Sequence, residues 1–185
     1  MPRHKTMSDE AVLDATLEVM RVQGLSDFTL ADVGRAIDLA PATLLQRFGG
    51  KRSLILQALA HDNNQFAARL AQLPNNIGPA AVIAVFALLA QDSASQPPLP
   101  AERLWLSLDL SDHELNTLAR RRQETLHAAV LARMPVLPIE PDDAARLIEA
   151  QWLGALIQWS VASERSLIAY VTAALADWFA LVTRR

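Results

Sequence analysis

The chain has 185 residues, 51% of them hydrophobic and none of them cysteine, and carries a formal net charge of −3. That length allows one domain of ordinary size or a small domain joined to a medium one. The absence of cysteine excludes a disulfide framework and thiolate chemistry, and it fits a reducing compartment. The longest apolar stretch, Ala80 to Ala90, is too short to span a bilayer, and the basic start Met1-Pro2-Arg3-His4-Lys5 is not followed by the apolar core of a signal peptide. A cytoplasmic protein with no membrane partner is expected.

Taken in chain order, the apolar residues recur with helical period almost everywhere, and no period-2 strand stands out. The first helix is expected over Asp9–Gln23, with Ser8 as its N-cap, Asp9 and Glu10 in its first turn and Gly24 as its stop. Thr29-Leu30-Ala31-Asp32 has the form of a capping box with Asp in place of Glu, so a short helix starts at Thr29. Asp38-Leu39-Ala40 makes a tight turn. Pro41 then opens a third helix, where its missing N–H costs nothing, and Gly49-Gly50 ends it near Phe48.

A long amphipathic helix is expected over Lys51–Leu73, followed by the turn Asn75-Asn76-Ile77-Gly78-Pro79 and a very apolar helix over Pro79–Gln91. Ser93 to Pro100, with three prolines, reads as a loop. Two helices come next, about Ala101–Leu110 and Asp112–Met134, the second capped by Ser111. Pro135 to Pro141 is another proline-rich loop. The last two helices run about Asp142–Ala162 and Glu164–Arg184, with Ser163 as the cap between them. The expected fold class is all-α, with about nine helices.

Charge is unevenly spread. Lys and Arg balance Asp and Glu at seven each in residues 1–60, whereas residues 61–185 carry ten against thirteen. Pro41 to Arg52 holds Arg47, Lys51 and Arg52 and no acid. A nucleic-acid binder needs only such a patch, so an acidic chain is not excluded from that class.

The first three helices, with a tight turn between the second and third, form a helix-turn-helix pattern. At 100° per residue, Pro41, Leu44 and Phe48 fall on one side of the third helix. Ala42, Leu45 and Gln46 fall on the other, with Thr43 and Arg47 flanking. A helix that docks on its own domain and offers its other side to a major groove needs this division.

The segment from Phe28-Thr29-Leu30-Ala31-Asp32-Val33-Gly34 through Ala42-Thr43-Leu44-Leu45-Gln46-Arg47-Phe48-Gly49-Gly50-Lys51-Arg52-Ser53-Leu54 resembles the N-terminal signature of the TetR family, over about residues 8–60. The chain departs from the family pattern in having Ala40 for the usual Ser, Leu45 and Gln46 for an aromatic pair, and Arg47 for a His. The resemblance implies a division into a DNA-binding domain at 1–50, including an N-terminal arm, and a helical effector-binding and dimerisation domain at 51–185.

The chemistry of the side chains then suggests roles. Lys51, at a helix start beside two glycines, suits a phosphate. The hydroxyls of Thr29 and Thr43 suit phosphate as well. Gln46 can pair bidentately with adenine, and Arg47 with guanine or phosphate. Leu45 or Ala42 suits a thymine methyl, and Pro41 lies at the same helix start. The tail Arg3-His4-Lys5 can add minor-groove contacts.

The last two helices are apolar over more of their perimeter than one core-facing stripe requires. The resemblance implies a homodimer built from them, with Trp152, Leu156, Trp159, Tyr170, Ala174 and Trp178 as interface candidates. Between them and the helix-turn-helix, Phe66, Phe86, Trp105 and Leu108 are candidate walls of an effector pocket, and His113 or His127 candidate polar anchors. Few charges are available there, so a small, mostly apolar effector is expected.

The function expected is therefore that of a repressor released from a palindromic double-stranded DNA operator by that effector. Two other readings compete. One is a helix-turn-helix used for protein contact. The other is an all-α enzyme, for which no His-Glu-x-x-His pattern, Gly-rich phosphate loop or Gly-x-Ser-x-Gly elbow is present. The four histidines show no ligand spacing, so no metal, cofactor or catalytic residue is assigned.

Overall fold

The computed structural model describes residues 7–94, 105, 108–162 and 164–183. Among them it has eight α-helices and no strand: α1 Asp9–Gln23, α2 Leu30–Ile37, α3 Pro41–Phe48, α4 Lys51–Ala71, α5 Pro79–Ala94, α6 His113–Leu131, α7 Pro141–Ala162 and α8 Leu167–Thr183. The helix expected at Ala101–Leu110 falls mostly outside the described residues, as do the Arg3-His4-Lys5 tail and the Ser163 cap.

Local chemistry sets the helix ends. The Ser8 hydroxyl accepts the Ala11 amide at 3.2 Å. Thr29 and Asp32 form a complete capping box, the Thr29 oxygen accepting from the Asp32 amide and the Asp32 carboxylate accepting from the Thr29 amide. The helix α3 has no side-chain cap at Ala40, starts with Pro41, and ends at Gly49 in the left-handed region. Two caps differ from expectation. The first turn of α6 is capped by Asp112, whose carboxylate accepts from the Glu114 and Leu115 amides, while Ser111 instead donates to Asp109. The last helix starts three residues later than expected, with the Ser166 hydroxyl accepting from the Ala169 amide.

Packing divides the chain into two compact units, 1–66 with 103–121 and 67–102 with 122–185. The first is wider than the three-helix segment ending at Gly50. Three helices of 15, 8 and 8 residues cannot bury their own apolar faces, and the first turns of α4 supply Leu54, Ala58 and Leu59 to cover them. These join Val12, Leu17, Met20, Phe28, Val33, Leu44 and Phe48 in one cluster, which Trp105, Leu108 and Leu115 complete. Each large side chain buried there contributes about 1.5–3 kcal/mol.

In the second unit α5 packs on α8 and α8 on α7. Its core holds Val82, Val85, Phe86 and Leu89 of α5, Ile148, Trp152 and Leu156 of α7, and Leu167, Val171, Leu175 and Phe179 of α8. The rings of Phe86 and Trp152 lie 5.6 Å apart. Two helices, α4 and α6, run from the first unit into the second. Among the described residues no helix is long and apolar enough to cross a membrane.

Candidate functional site

The turn between α2 and α3 is tight for a definite reason. Asp38 takes a left-handed conformation at φ 54°, and its amide donates to the Gly34 carbonyl. The Leu39 amide donates to the same carbonyl at 2.9 Å. A Cβ at Gly34 would stand 2.3 Å from the Leu39 carbonyl oxygen, so only glycine lets the chain double back so closely. The turn delivers α3 with Leu44 and Phe48 buried, and Ala42, Leu45 and Gln46 exposed. Leu45 is 54% exposed, which is unusual for a leucine whose neighbour Leu44 is fully buried. Thr43 and Arg47 flank this face, half-buried. Pro41, expected on the inward side, is exposed beside Ala42, because the ring at a helix start projects away from the turns that follow.

The cations of the basic patch all have partners within the first unit. The Arg47 Nε donates to Asp9 at 3.0 Å, and one of its Nη atoms donates both to Asp9 and to the Met7 carbonyl. Its guanidinium also lies 5.4 Å from the Phe48 ring centroid. Lys51 Nζ donates to the Ser26 carbonyl at 2.7 Å and sits 4.6 Å from the Phe28 ring centroid. Arg52 donates to Asp112 at 2.7 and 3.1 Å and to Glu114 at 2.5 Å. That guanidinium holds the Asp112 carboxyl down at about 2. The Thr29 hydroxyl donates to Asp32 at 2.7 Å, and this bond, with that of the Thr29 amide, lowers the Asp32 pKa. The partners of the three cations lie 25 to 62 residues away in the chain. Helical periodicity carries no signal for such pairs.

The candidate effector residues are divided between the two units. Phe66, Trp105, Leu108 and His113 belong to the first unit, and Phe86 and His127 to the second. The Trp105 indole donates to Asp62 at 2.8 Å, and Asp62 also receives Arg21 at 3.4 Å. His113 is exposed at the start of α6. His127 lies between two carboxylates, with Asp142 at 2.8 Å from Nε2 and the buried Glu149 at 2.9 Å from Nδ1. Gln123 also donates to Glu149, at 2.6 Å. Among the described residues no group of three or more His, Cys, Asp or Glu could hold a metal ion.

The interface candidates also separate. Trp152 and Leu156 are buried inside the chain, Trp152 against Phe86 of α5, and so present no surface. Trp159 is half-buried, its indole donating to the Arg165 carbonyl at 2.8 Å, and the Tyr170 hydroxyl lies 3.2 Å from the Gln158 side-chain oxygen. Ala174 and Trp178 are half-buried. Apolar residues that α7 exposes include Leu147, Ala150, Ile157 and Val161, which with the half-buried Gly154 fall at three- and four-residue steps along one face. Ile157 is 57% and Val161 81% exposed.

Residues 12–58 match the sequence pattern of the bacterial regulatory proteins of the tetR family, which bears out the resemblance seen in the sequence. The match covers nearly all of the first three helices and the start of α4, and the whole chain has an all-helical fold similar to that of solved transcriptional regulators. Similar solved structures include a transcriptional regulator from Rhodococcus sp. Rha1, 18% identical, with 95% of this chain and 96% of that one covered at a TM-score of 0.77. A second is a putative transcriptional regulator from Saccharomonospora viridis in complex with choline, 14% identical, with 93% and 95% covered at 0.72. A third is the regulator FadR from Bacillus subtilis in complex with stearoyl-CoA, 16% identical, with 93% and 96% covered at 0.67. No curated protein sequence matches the chain.

Proposed function

We propose that the protein is a cytoplasmic, homodimeric transcriptional repressor that reads a palindromic operator with α3 and is released by a small, mostly apolar effector. One observation carries the DNA-reading role. A buried Leu44 and Phe48 hold α3 so that Ala42, Leu45 and Gln46 are presented outward, within the segment that matches the tetR family. In this reading Gln46 pairs with adenine, and Leu45 or Ala42 meets a thymine methyl. Thr43, Thr29 and Lys51, with the amides at the start of α4, face phosphate, and Pro41 lies at the start of the same reading helix.

A two-fold dimer supports the palindrome, since each half-site takes one α3. The exposed apolar face of α7 supports the dimer. For the effector the support is comparative. Similar folds hold choline and stearoyl-CoA, and the second unit places Phe86 and His127 among its buried and half-buried residues. The helix α4 begins beside α3 and continues into the second unit. It is the element through which an effector would shift the spacing of the two reading helices, and it does so only if the effector prefers the non-binding spacing.

The test is selection of bound fragments from a genomic DNA pool by the purified protein, repeated with Gln46→Ala and Lys51→Ala. A palindromic site is expected. Gln46→Ala should relax preference at one symmetric base position, and Lys51→Ala should weaken all sequences and flatten the salt slope by about 1. No enrichment at low salt would overturn the reading and favour a helix-turn-helix used for protein contact.

A further inference from the structure

We propose that Arg47 is a positioning residue for the reading helix and makes no contact with DNA itself. This rests on the DNA-reading function proposed above and assigns one residue of that site a different task from the one its charge suggests.

The geometry points this way at three places. Three of the five N–H donors of the guanidinium are turned back onto the start of α1, two to Asp9 and one to the Met7 carbonyl. Its guanidinium carbon lies over the ring of Phe48, the buried residue that anchors the last turn of α3. Its side chain is only 24% exposed, whereas that of Asp9 is 70% exposed. An acid fixed beside the cation also cancels the field a phosphate would feel.

The short α3 needs such a clamp. It has eight residues, no side-chain cap at Ala40, and only Leu44 and Phe48 fully buried. Two anchors on one side fix how deep a helix sits but leave its roll about its own axis loosely held. Arg47 fixes the roll by tying the flank of α3 to a second helix. Gln46 precedes it by 100° of helical rotation, so a change of roll re-aims the residue that reads a base. A lone exposed ion pair is worth little. The fork suits this task because it binds a carboxylate and a carbonyl at once, which an ammonium cannot do with the same directionality.

The two roles differ in what they predict for Asp9. A clamp needs the acid, whereas a phosphate contact is freed by its loss. Full-length Arg47→Ala, Asp9→Asn, the double variant and Arg47→Lys would be titrated with the selected operator over a salt series, and base preference at the Gln46 position would be measured by competition. Each single variant should weaken operator binding about tenfold. The double variant should be no weaker than the worse single, the salt slope should be unchanged, preference at the Gln46 position should broaden, and Arg47→Lys should not rescue.

The assignment is overturned if Asp9→Asn tightens binding, if Arg47→Ala lowers the salt slope by about 1, or if Arg47→Lys behaves as wild type. Asp9→Asn is a conservative change on an exposed side chain, so it keeps the comparison open should Arg47→Ala fail to fold. If the wild-type protein binds no duplex even at low salt, the DNA-reading function falls and this role falls with it. If wild type binds and only the variants disagree, the clamp alone is wrong.

Discussion

At the scale of single residues, the α2–α3 turn shows how little room the reading helix has. In an open helix, replacing glycine by alanine stabilises by about 1 kcal/mol. At Gly34 the sign reverses, because the new Cβ would meet the Leu39 carbonyl oxygen at 2.3 Å and that oxygen is backbone, with no rotamer to yield. Gly34→Ala is expected to cost about 1–3 kcal/mol, read as a lower urea midpoint with an unchanged slope. Operator affinity should fall further than stability alone accounts for, since the strain is relieved by moving α3. A variant as stable as wild type would show that the turn opens freely. Arg133 shows the same principle in a buried cation. Its guanidinium donates to the carbonyls of Leu73, Pro74 and Ala129, closing the loop after α4 against the end of α6.

At the scale of elements, α6 and α7 are joined through His127. With a proton on each ring nitrogen, the imidazolium donates to Asp142 and to Glu149 together. Burial pulls the His127 pKa down, but the hydrogen bonds to Asp142 and Glu149 outweigh it, and the result is raised above the ordinary 6.5. Burial pushes the Glu149 carboxyl up from 4.5. A histidine raised in the folded state adds stability that is fully present below pH 6.5 and is lost as pH rises through the raised value. The raised Glu149 acts in the same sense, its share being complete below 4.5 and lost as pH rises through its folded value. Unfolding followed from about pH 5 to about pH 9 should therefore show stability falling on the alkaline side of 6.5, and His127→Gln should flatten that fall. An equal fall in the variant would place its origin elsewhere.

At the scale of the whole molecule, the exposed face of α7 is the surface on which the proposed dimer rests. Leu147, Ile157 and Val161 stand in water in the single chain, and covering them is the driving force for the proposed dimer. Ile157→Glu is expected to give a folded monomer by light scattering with an unchanged helical circular dichroism signal. Binding to a palindromic operator should weaken about a hundredfold, because two half-sites are no longer engaged through one linkage. A variant that stays dimeric would move the interface off this face.

The sequence alone carried much of what is settled within a few residues. The caps at Ser8 and Thr29, the break at Gly49 and, apart from Pro41, the inward and outward sides of α3 depend on groups no more than about one helical turn apart, and they were legible before any coordinates. So was the tetR-family signature, because the turn it encodes is local. The tertiary structure decided two other matters. The first is where each charge goes: Arg47, Lys51 and Arg52 read alike as a basic patch, and packing alone sets Asp9, the Ser26 carbonyl and Asp112 beside them. The second is which side of an apolar helix faces inward. Along α7, Trp152 and Leu156 carry the same periodic signal as Leu147 and Ile157. A helix apolar all round has no inward face until α5 and α8 pack against one side of it.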